Sequence, residues 1–393
     1  MFRKFFIYLC FVLSNSLSAQ WSEQNSGVNT TIGGVSIIDS LTGVAVSYSG
    51  ELLKTTDGGN TWVNLIPPSY ETLWKIDFIN DSIGWIVGEN GVLFKSENQG
   101  DDWNKISIST TNYIQAVFFL NDSVGWVAGR NGTLFTTNDY GNTWNSKSFN
   151  LAEEYTSIHF MNDTLGLLAG RERLYRTTDS GNNWISLGVF SDFFAEIHFI
   201  DETTGWLCGK DGLIKKTTDG GLTWMTQNST TTEWIQEITF VDENIGWAVG
   251  RNGVILYTHD GGEHWFQDTS PVSSHLISVD FIDKHRGWAV GSKGKIIKFY
   301  NPDPTLNTTS FSKQTLNIYP NPVTVTSNIQ FSQTNSEVQL ALYDINGRNL
   351  GSSFFNKNQD GQYEFTRGVL ATGLYYIVVE HQGGVWSEKI VLE

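Results

Sequence analysis

The sequence predicts an all-β fold: a seven-bladed β-propeller closed by its own N-terminal strand, followed by a small C-terminal β-sandwich. Three observations predict it. A glycine-led phrase recurs seven times, as GVAVS at 43, GWIVG at 84, GWVAG at 125, GLLAG at 166, GWLCG at 205 and GWAVG at 246 and 287, in steps of 41, 41, 41, 39, 41 and 41 residues. A second phrase, TTDGGNTW at 55–62, returns as SENQGDDW, TNDYGNTW, TTDSGNNW, TTDGGLTW and THDGGEHW, six copies in all. The composition, with 15 Trp, 39 Gly and only 7 Pro in 393 residues, suits short strands joined by tight turns.

Each unit reads as four strands. In the second, strand A covers 73–79, strand B 83–88 and strand C 92–96, with strand D around Trp103. Turn residues separate them at 80–82, at Glu89-Asn90-Gly91 and before Gly100. Four strands every 40–45 residues, radially repeated, make a propeller blade. A linear solenoid is the competing architecture, and the ends of the array decide between them. The last unit stops after strand C at 295–300, whereas Trp21 precedes Trp62 by 41 residues. Residues 20–26 therefore supply the missing strand D of the seventh blade. A ring gains from this offset, because it removes the exposed sheet edge.

Ahead of this strand, Arg3 and Lys4, an apolar run from Phe5 to Leu13 and small residues up to Ala19 have the layout of a secretory signal peptide, 1–19. The run is too short to span a bilayer. Leu9 precedes Cys10, where a lipidation site has a small residue. Removal of the leader leaves Cys208 as the single cysteine, so no internal disulfide or cysteine metal site forms. Cys208 aligns with Val87, Ala128 and Val249 and reads as a small buried side chain. A net charge of −16 excludes the basic footprint that nucleic acid requires.

The second phrase has the consensus Ser/Thr-x-Asp-x-Gly-x-x-Trp and falls at the C-to-D turn. Asp57, Asp139, Asp179, Asp219 and Asp260 are placed to accept N–H donors of their own turn, and glycines such as Gly59 to take a positive φ. Asn98 replaces the Asp in one unit, which favours turn geometry over proton chemistry. Trp62, Trp103, Trp144, Trp184, Trp224 and Trp265 then fill the gaps between blades. The phrase resembles the Asp-box of bacterial neuraminidase repeats, sortilin-type receptors and some propeller glycosidases. Together with the GWxVG phrase, residues 20–301 resemble the photosystem II stability and assembly factor family of seven-bladed propellers. That resemblance implies a fold; a function has to come from a site.

After Tyr300 the segment 302–316 is polar, carries prolines and reads as a linker. Residues 317–393 contain Tyr319-Pro320-Asn321-Pro322, Leu342-Tyr343-Asp344, Gly347-Arg348 and Leu370-Ala371-Thr372-Gly373-Leu374-Tyr375. They resemble the type A C-terminal sorting domain of the type IX secretion system. The resemblance implies passage through the periplasm and outer membrane, a partnership with the type IX machinery and a Bacteroidota-type host.

Antiparallel strands send the loops alternately to two faces of the ring. One face collects Asp39, Asp81, Asp122, Asp163, Asp201, Asp242 and Asp283 with the Asp-boxes, and is expected to be acidic. The other carries Arg130, Arg171, Lys210 and Arg251 at one aligned B-to-C turn position, and Trp74, Tyr113, Tyr155, Phe193, Phe194, Trp234 and His275 in the loops leading into strand A. A basic arc beside aromatic rings is the candidate ligand-binding face, suited to an anionic glycan or a peptide. The fourth blade breaks the repeat, with Leu167 for the tryptophan and Arg173 for the turn glycine. Glu196 and Glu237 share one column of strand A, and His159 and His198 share the next with Asp77, Thr239 and Asp280. These two glutamates, with Glu153, Glu154 and Glu233 in the loops of the candidate face, keep a glycosidase open as an alternative. The histidines read as polar channel residues, and no phosphate loop, nucleophile elbow or metal motif stands out. The expected function is an exported, non-enzymatic propeller, without cofactor or metal, that binds a glycan or protein at the cell surface or outside the cell. A propeller glycoside hydrolase and a periplasmic assembly factor are the alternatives.

Overall fold

The structure, a computed structural model, describes residues 20–65, 70–149, 153–190, 192–301, 316–331, 339–344, 349–358, 363–381 and 384–393. The expected signal peptide 1–19, the linker up to 315 and Gly347-Arg348 lie outside the described residues. The chain divides into two compact units, Met1–Pro304 and Thr305–Glu393.

The first unit is the all-β propeller that the repeat predicts. Its described residues form seven four-stranded antiparallel sheets. Blade 1 is typical: strand A is Ile32–Ile37, B is Gly43–Ser47, C is Leu52–Thr55 and D is Val63–Leu65. Blade 7 takes A, B and C from Leu276–Asp283, Arg286–Gly291 and Lys295–Tyr300, and its strand D from Gln20–Gln24. The closing strand pairs Gln20 with Tyr300 through to Gln24 with Ile296. Trp21 pairs with Phe299 and is 6% exposed, so the displaced tryptophan keeps its register.

The blades are joined by repeated aromatic seams. A strand-B tryptophan stacks on the strand-A phenylalanine of the next blade, and that ring meets the Asp-box tryptophan of its own blade edge-on. Trp206 lies 3.5 Å from Phe240, which meets Trp265 at 85°. Trp126, Phe160 and Trp184 repeat this, as do Trp247, Phe281 and Trp21. The phrase glycine exists for the same ring. A Cβ on Gly84, Gly125, Gly166, Gly205, Gly246 or Gly287 would stand 2.5 to 2.6 Å from the phenylalanine ring of strand A. In blade 1 that phenylalanine is Ile37, and a Cβ on Gly43 would meet nothing nearer than 3.6 Å. Gly246→Ala is therefore expected to destabilise by about 2–3 kcal/mol, the scale of core overpacking. Gly43→Ala should stay within about 0.5 kcal/mol of the parent. Thermal unfolding of the two variants checks the pair, and equal losses would contradict the seam.

The second unit is a two-sheet sandwich. One sheet orders Leu316–Tyr319, Thr326–Phe331, Tyr363–Thr366 and Phe355–Lys357; the other orders Asn349–Gly351, Gln339–Asp344, Gly373–His381 and Gly384–Leu392. Its core includes Val323, Ile329, Leu342, Phe365, Ile377 and Ile390. The Tyr319-Pro320-Asn321-Pro322 motif anchors the unit's start to its end. Asn321 Oδ1 accepts from Val391 N–H at 2.9 Å, and its Nδ2 donates to the Lys389 carbonyl at 2.9 Å.

Candidate functional site

The Asp-box carboxylates are engaged by their own turns. Thr61 N–H and hydroxyl donate to Asp57 at 2.9 and 2.7 Å, the Thr55 hydroxyl donates to it at 2.9 Å, and Gly59 N–H donates to Thr55 at 2.8 Å. Gly59 has φ +80. Asp139, Asp179, Asp219 and Asp260 repeat the arrangement. The Thr223 hydroxyl and N–H draw Asp219 down to about 2. In the second blade the pair is exchanged: Asn98 accepts from Asp102 N–H and donates its amide to the Asp102 carboxylate, each at 3.0 Å. Each box is thus occupied with holding its own turn. Trp62 and Trp265 are buried, while Trp103, Trp144, Trp184 and Trp224 are half-buried along the seams.

On the same face the acidic column is offset from its sequence reading. Asp39, Asp201, Asp242 and Asp283 cap the A-to-B turns, accepting N–H groups two residues on. In blades 2 to 4 that role belongs to Asn80, Asn121 and Asn162. Asp81, Asp122 and Asp163 stand one residue further on.

The opposite face brings the B-to-C turns against the loops into strand A. Arg130 N–H donates to the Tyr113 carbonyl at 2.9 Å, and its guanidinium lies 4.6 Å from the Tyr113 ring. Arg171 lies 5.2 Å from Phe193 and Arg251 4.4 Å from Trp234. Phe193 and Trp234 meet edge-on at 4.8 Å. Carboxylates stand beside most of the basic arc. Glu154 bridges Arg130 at 2.9 Å and Arg171 at 2.5 Å, and Glu153 lies 3.7 Å from Arg173. Lys210 lies 3.9 Å from Asp211. Among the described residues Arg251 has no carboxylate partner. Trp234 Nε1 is buried without a hydrogen-bond partner there.

Four readings from the sequence change. Trp74 is not in a loop but in strand Leu73–Phe78, at the bulge between Leu73 and Lys75, where it packs 4.6 Å from Tyr48. Tyr155 and Phe194 are fully buried, because they occupy the core position of Leu73 and Ile114. Arg173 does not replace the turn glycine. The fourth-blade turn is one residue shorter than its neighbours, and Arg173 opens strand Arg173–Thr177, paired with Val189. Leu167 stays in the seam, in one core cluster with Phe199 and against Trp224.

Strand A lines a central channel of about 230 Å³. Its free edge carries N–H groups that no strand pairs, and polar side chains of the preceding blade meet them. Ser157 accepts from Ile197 N–H, Glu237 from Val279 N–H, Ser278 from Val35 N–H and Ser36 from Phe78 N–H. Asp280 accepts from Ile37 N–H at 2.7 Å, and His198 Nε2 lies 3.2 Å from the Phe240 amide. The candidate catalytic pair belongs to the same network. Lys75 reaches from blade 2 to Glu196 at 2.7 Å and Glu237 at 3.3 Å, and the Ser157 hydroxyl donates to Glu196 at 2.9 Å. Burial raises Asp77 to about 6 and Asp280 to about 7, and lowers His159 to about 3 and His198 to about 4. The histidines are neutral channel walls at pH 7, and no metal-binding cluster occurs among the described residues. Cys208 is buried. The sequence reading passed over Lys75, whose signal was being the one cation in the column of Glu196 and Glu237.

Comparison with known proteins follows the two units. The profile of a secretion system C-terminal sorting domain matches residues 317–393, which assigns the chain to export through type IX secretion. No curated protein sequence matches the chain. Among solved structures, YCF48 bound to D1 peptide superposes with a TM-score of 0.62 at 21% identity, covering 73% of this chain and 100% of that one. YCF48 from Cyanidioschyzon merolae gives 0.60 at 19% identity, covering 71% and 98%. The WD40 propeller domain of Doa1 gives 0.60 at 14%, covering 72% and 98%. These identities speak for the fold alone. The profile of the photosynthesis system II assembly factor YCF48 matches residues 13–112, 103–193, 187–265 and 226–300, and by this match over the whole propeller the chain belongs to the YCF48 family.

Proposed function

We propose that this chain is an exported, non-enzymatic binding propeller, which holds an extended peptide segment of another protein outside the cell. The carrying observation is the ladder of Arg171, Phe193, Trp234 and Arg251 across blades 4 to 6. Two half-buried rings meet edge-on and a cation lies over each, and the outer cation, Arg251, has no carboxylate partner among the described residues. Such a surface suits an apolar side chain beside a carboxylate. The solved YCF48 complex with D1 peptide supports the choice of a peptide over a glycan as the ligand. The sorting domain supplies the route to the surface, where the propeller acts. Lys75 gives Glu196 and Glu237 a structural task, which supports a binding role over glycoside hydrolysis.

A peptide array presented to the full chain tests this reading. Arg251→Glu is expected to weaken binding of the selected peptide at least tenfold, the scale of one charge-assisted contact. Its melting temperature should stay unchanged. Arg130→Glu is expected to lower the melting temperature, because it sets a second carboxylate against Glu154. Peptide binding that ignores Arg251→Glu, or an Arg251→Glu chain that unfolds, would defeat the assignment.

A further inference from the structure

The rim groove between blades 6 and 7 is built unlike its counterpart between blades 3 and 4. It encloses about 320 Å³ and is lined by Trp247, Tyr257, His259, Asp268, Lys284 and Asn301, among others. The counterpart has Thr136 where this groove has Tyr257, Asn138 for His259, Lys147 for Asp268 and Asp163 for Lys284. Aromatic rings have entered one wall, and the charges at the far side have exchanged places. Phe266, 40% exposed, backs that wall with its ring 5.5 Å from Tyr257 and 5.4 Å from His259, each within 30° of parallel. His264 adds a fourth ring, 6.5 Å from Phe266, and is itself held by Asp260 at 2.8 Å. The polar end is fixed as well. Asp268 accepts from Trp21 Nε1 at 3.2 Å and from Thr269 N–H at 2.7 Å, which orients its carboxylate at the groove end.

We infer that this groove is a carbohydrate-binding subsite, separate from the peptide-binding face. The ring wall of Tyr257 and His259 offers a flat apolar surface for the C–H face of a pyranose. Asp268, Lys284 and Asn301 offer an acceptor, a donor and a group that does both, matching hydroxyls at the sugar's edge. A few placed polar groups beside aromatic walls are the general make-up of a small-molecule site, and aromatic rings with a polar rim suit ligands that are half apolar. A linear neutral oligosaccharide fits best, since the groove presents one carboxylate and one ammonium and so carries no excess charge for an anionic chain.

The test is saturation-transfer NMR on the full chain, with aromatic protons irradiated and cellohexaose, maltohexaose, mannohexaose, xylohexaose and chitohexaose as probes. The expected result is transfer to the C–H protons of at least one probe. Phe266→Ala and His259→Ala, both at exposed positions, should each reduce the affinity for that probe at least fivefold. Arg251→Glu should leave it unchanged, which separates this site from the peptide-binding face. Silence across all five probes overturns the inference. So does transfer that survives both ring substitutions, or that is lost in Arg251→Glu. Asp268→Asn keeps the acceptor for Trp21 and gives a second reading that does not depend on the ring wall; binding that ignores both it and the ring variants places the sugar elsewhere.

Discussion

Lys75→Met is expected to destabilise the propeller by about 3 kcal/mol at pH 8, near the lower end for breaking a buried ion pair. Lys75 is 23% exposed, and its two partners, Glu196 and Glu237, are 16% and 14% exposed. The methionine fills similar volume, so the loss is electrostatic. Two carboxylates then stand in the channel without their cation, close to Asp77, which is already raised to about 6 by burial and by Glu237. The pH dependence has a definite sign. Burial already raises Glu196 even with Lys75 present. Without Lys75, Glu196 binds its proton still more tightly in the folded than in the unfolded chain. Stability contributed in this way is present at low pH and is lost as pH rises through the folded pKa. The variant should therefore lie close to the parent near pH 5 and fall away from it towards pH 8, read as the difference between the two unfolding curves at each pH. A loss independent of pH would mean that Lys75 acts by packing. Activity on a polysaccharide that disappears in Glu196→Gln but survives in Lys75→Met would return the pair to a catalytic role.

The ring was legible because its determinants are periodic and local. A glycine beneath a phenylalanine, a tryptophan over the same ring and an Asx or Ser/Thr turn recur at fixed spacing, so each copy confirms the others. The displaced Trp21 was legible for the same reason, as a count that came out one short. The candidate face was only half legible. Positions of Arg130, Arg171 and Arg251 follow from the repeat, but the charge on that face depends on Glu153 and Glu154, which sit in a non-repeating loop and reach two different turns. The channel was opaque for a related reason. Lys75 lies 121 residues before Glu196, and only closure of the ring sets blade 2 across from blades 5 and 6. The fourth blade misled because a one-residue deletion in its turn looked like a substitution; the shift shows only when Arg173 is seen paired with Val189.

Removal of residues 20–26 is expected to abolish cooperative unfolding of the propeller. The five backbone pairs of this strand are its smaller contribution. Trp21 lies 5.8 Å from Phe281 and 5.2 Å from Phe299, and its loss alone resembles a buried Trp→Ala change of about 3 kcal/mol or more. Gln24 Oε1 accepts from both Trp62 and Trp288, so deletion leaves two indole donors at the junction of blades 7 and 1 without an acceptor. Ser26 donates to the Gly294 carbonyl at 2.6 Å and goes with them. The deletion also bares the edge of Lys295–Tyr300, a six-residue strand, whereas strand D at the rim of several other blades is only two residues long. An uncovered edge of that length pairs with other chains. Broad, concentration-dependent unfolding with loss of the monomer is the expected result, measured by calorimetry and sedimentation. A synthetic peptide of residues 20–26 should restore part of the transition in trans, because the missing strand is an independent segment whose partners remain in place. Trp21→Ala should cost more than Trp103→Ala, since Trp103 is only half-buried in its seam. A deleted chain that still melts as a cooperative monomer would show that the blades hold the ring without the clasp. The same geometry orders folding in time: the first strand of the ring finds its partner only after residue 300 has been made, so closure waits on the most distant contact in the propeller.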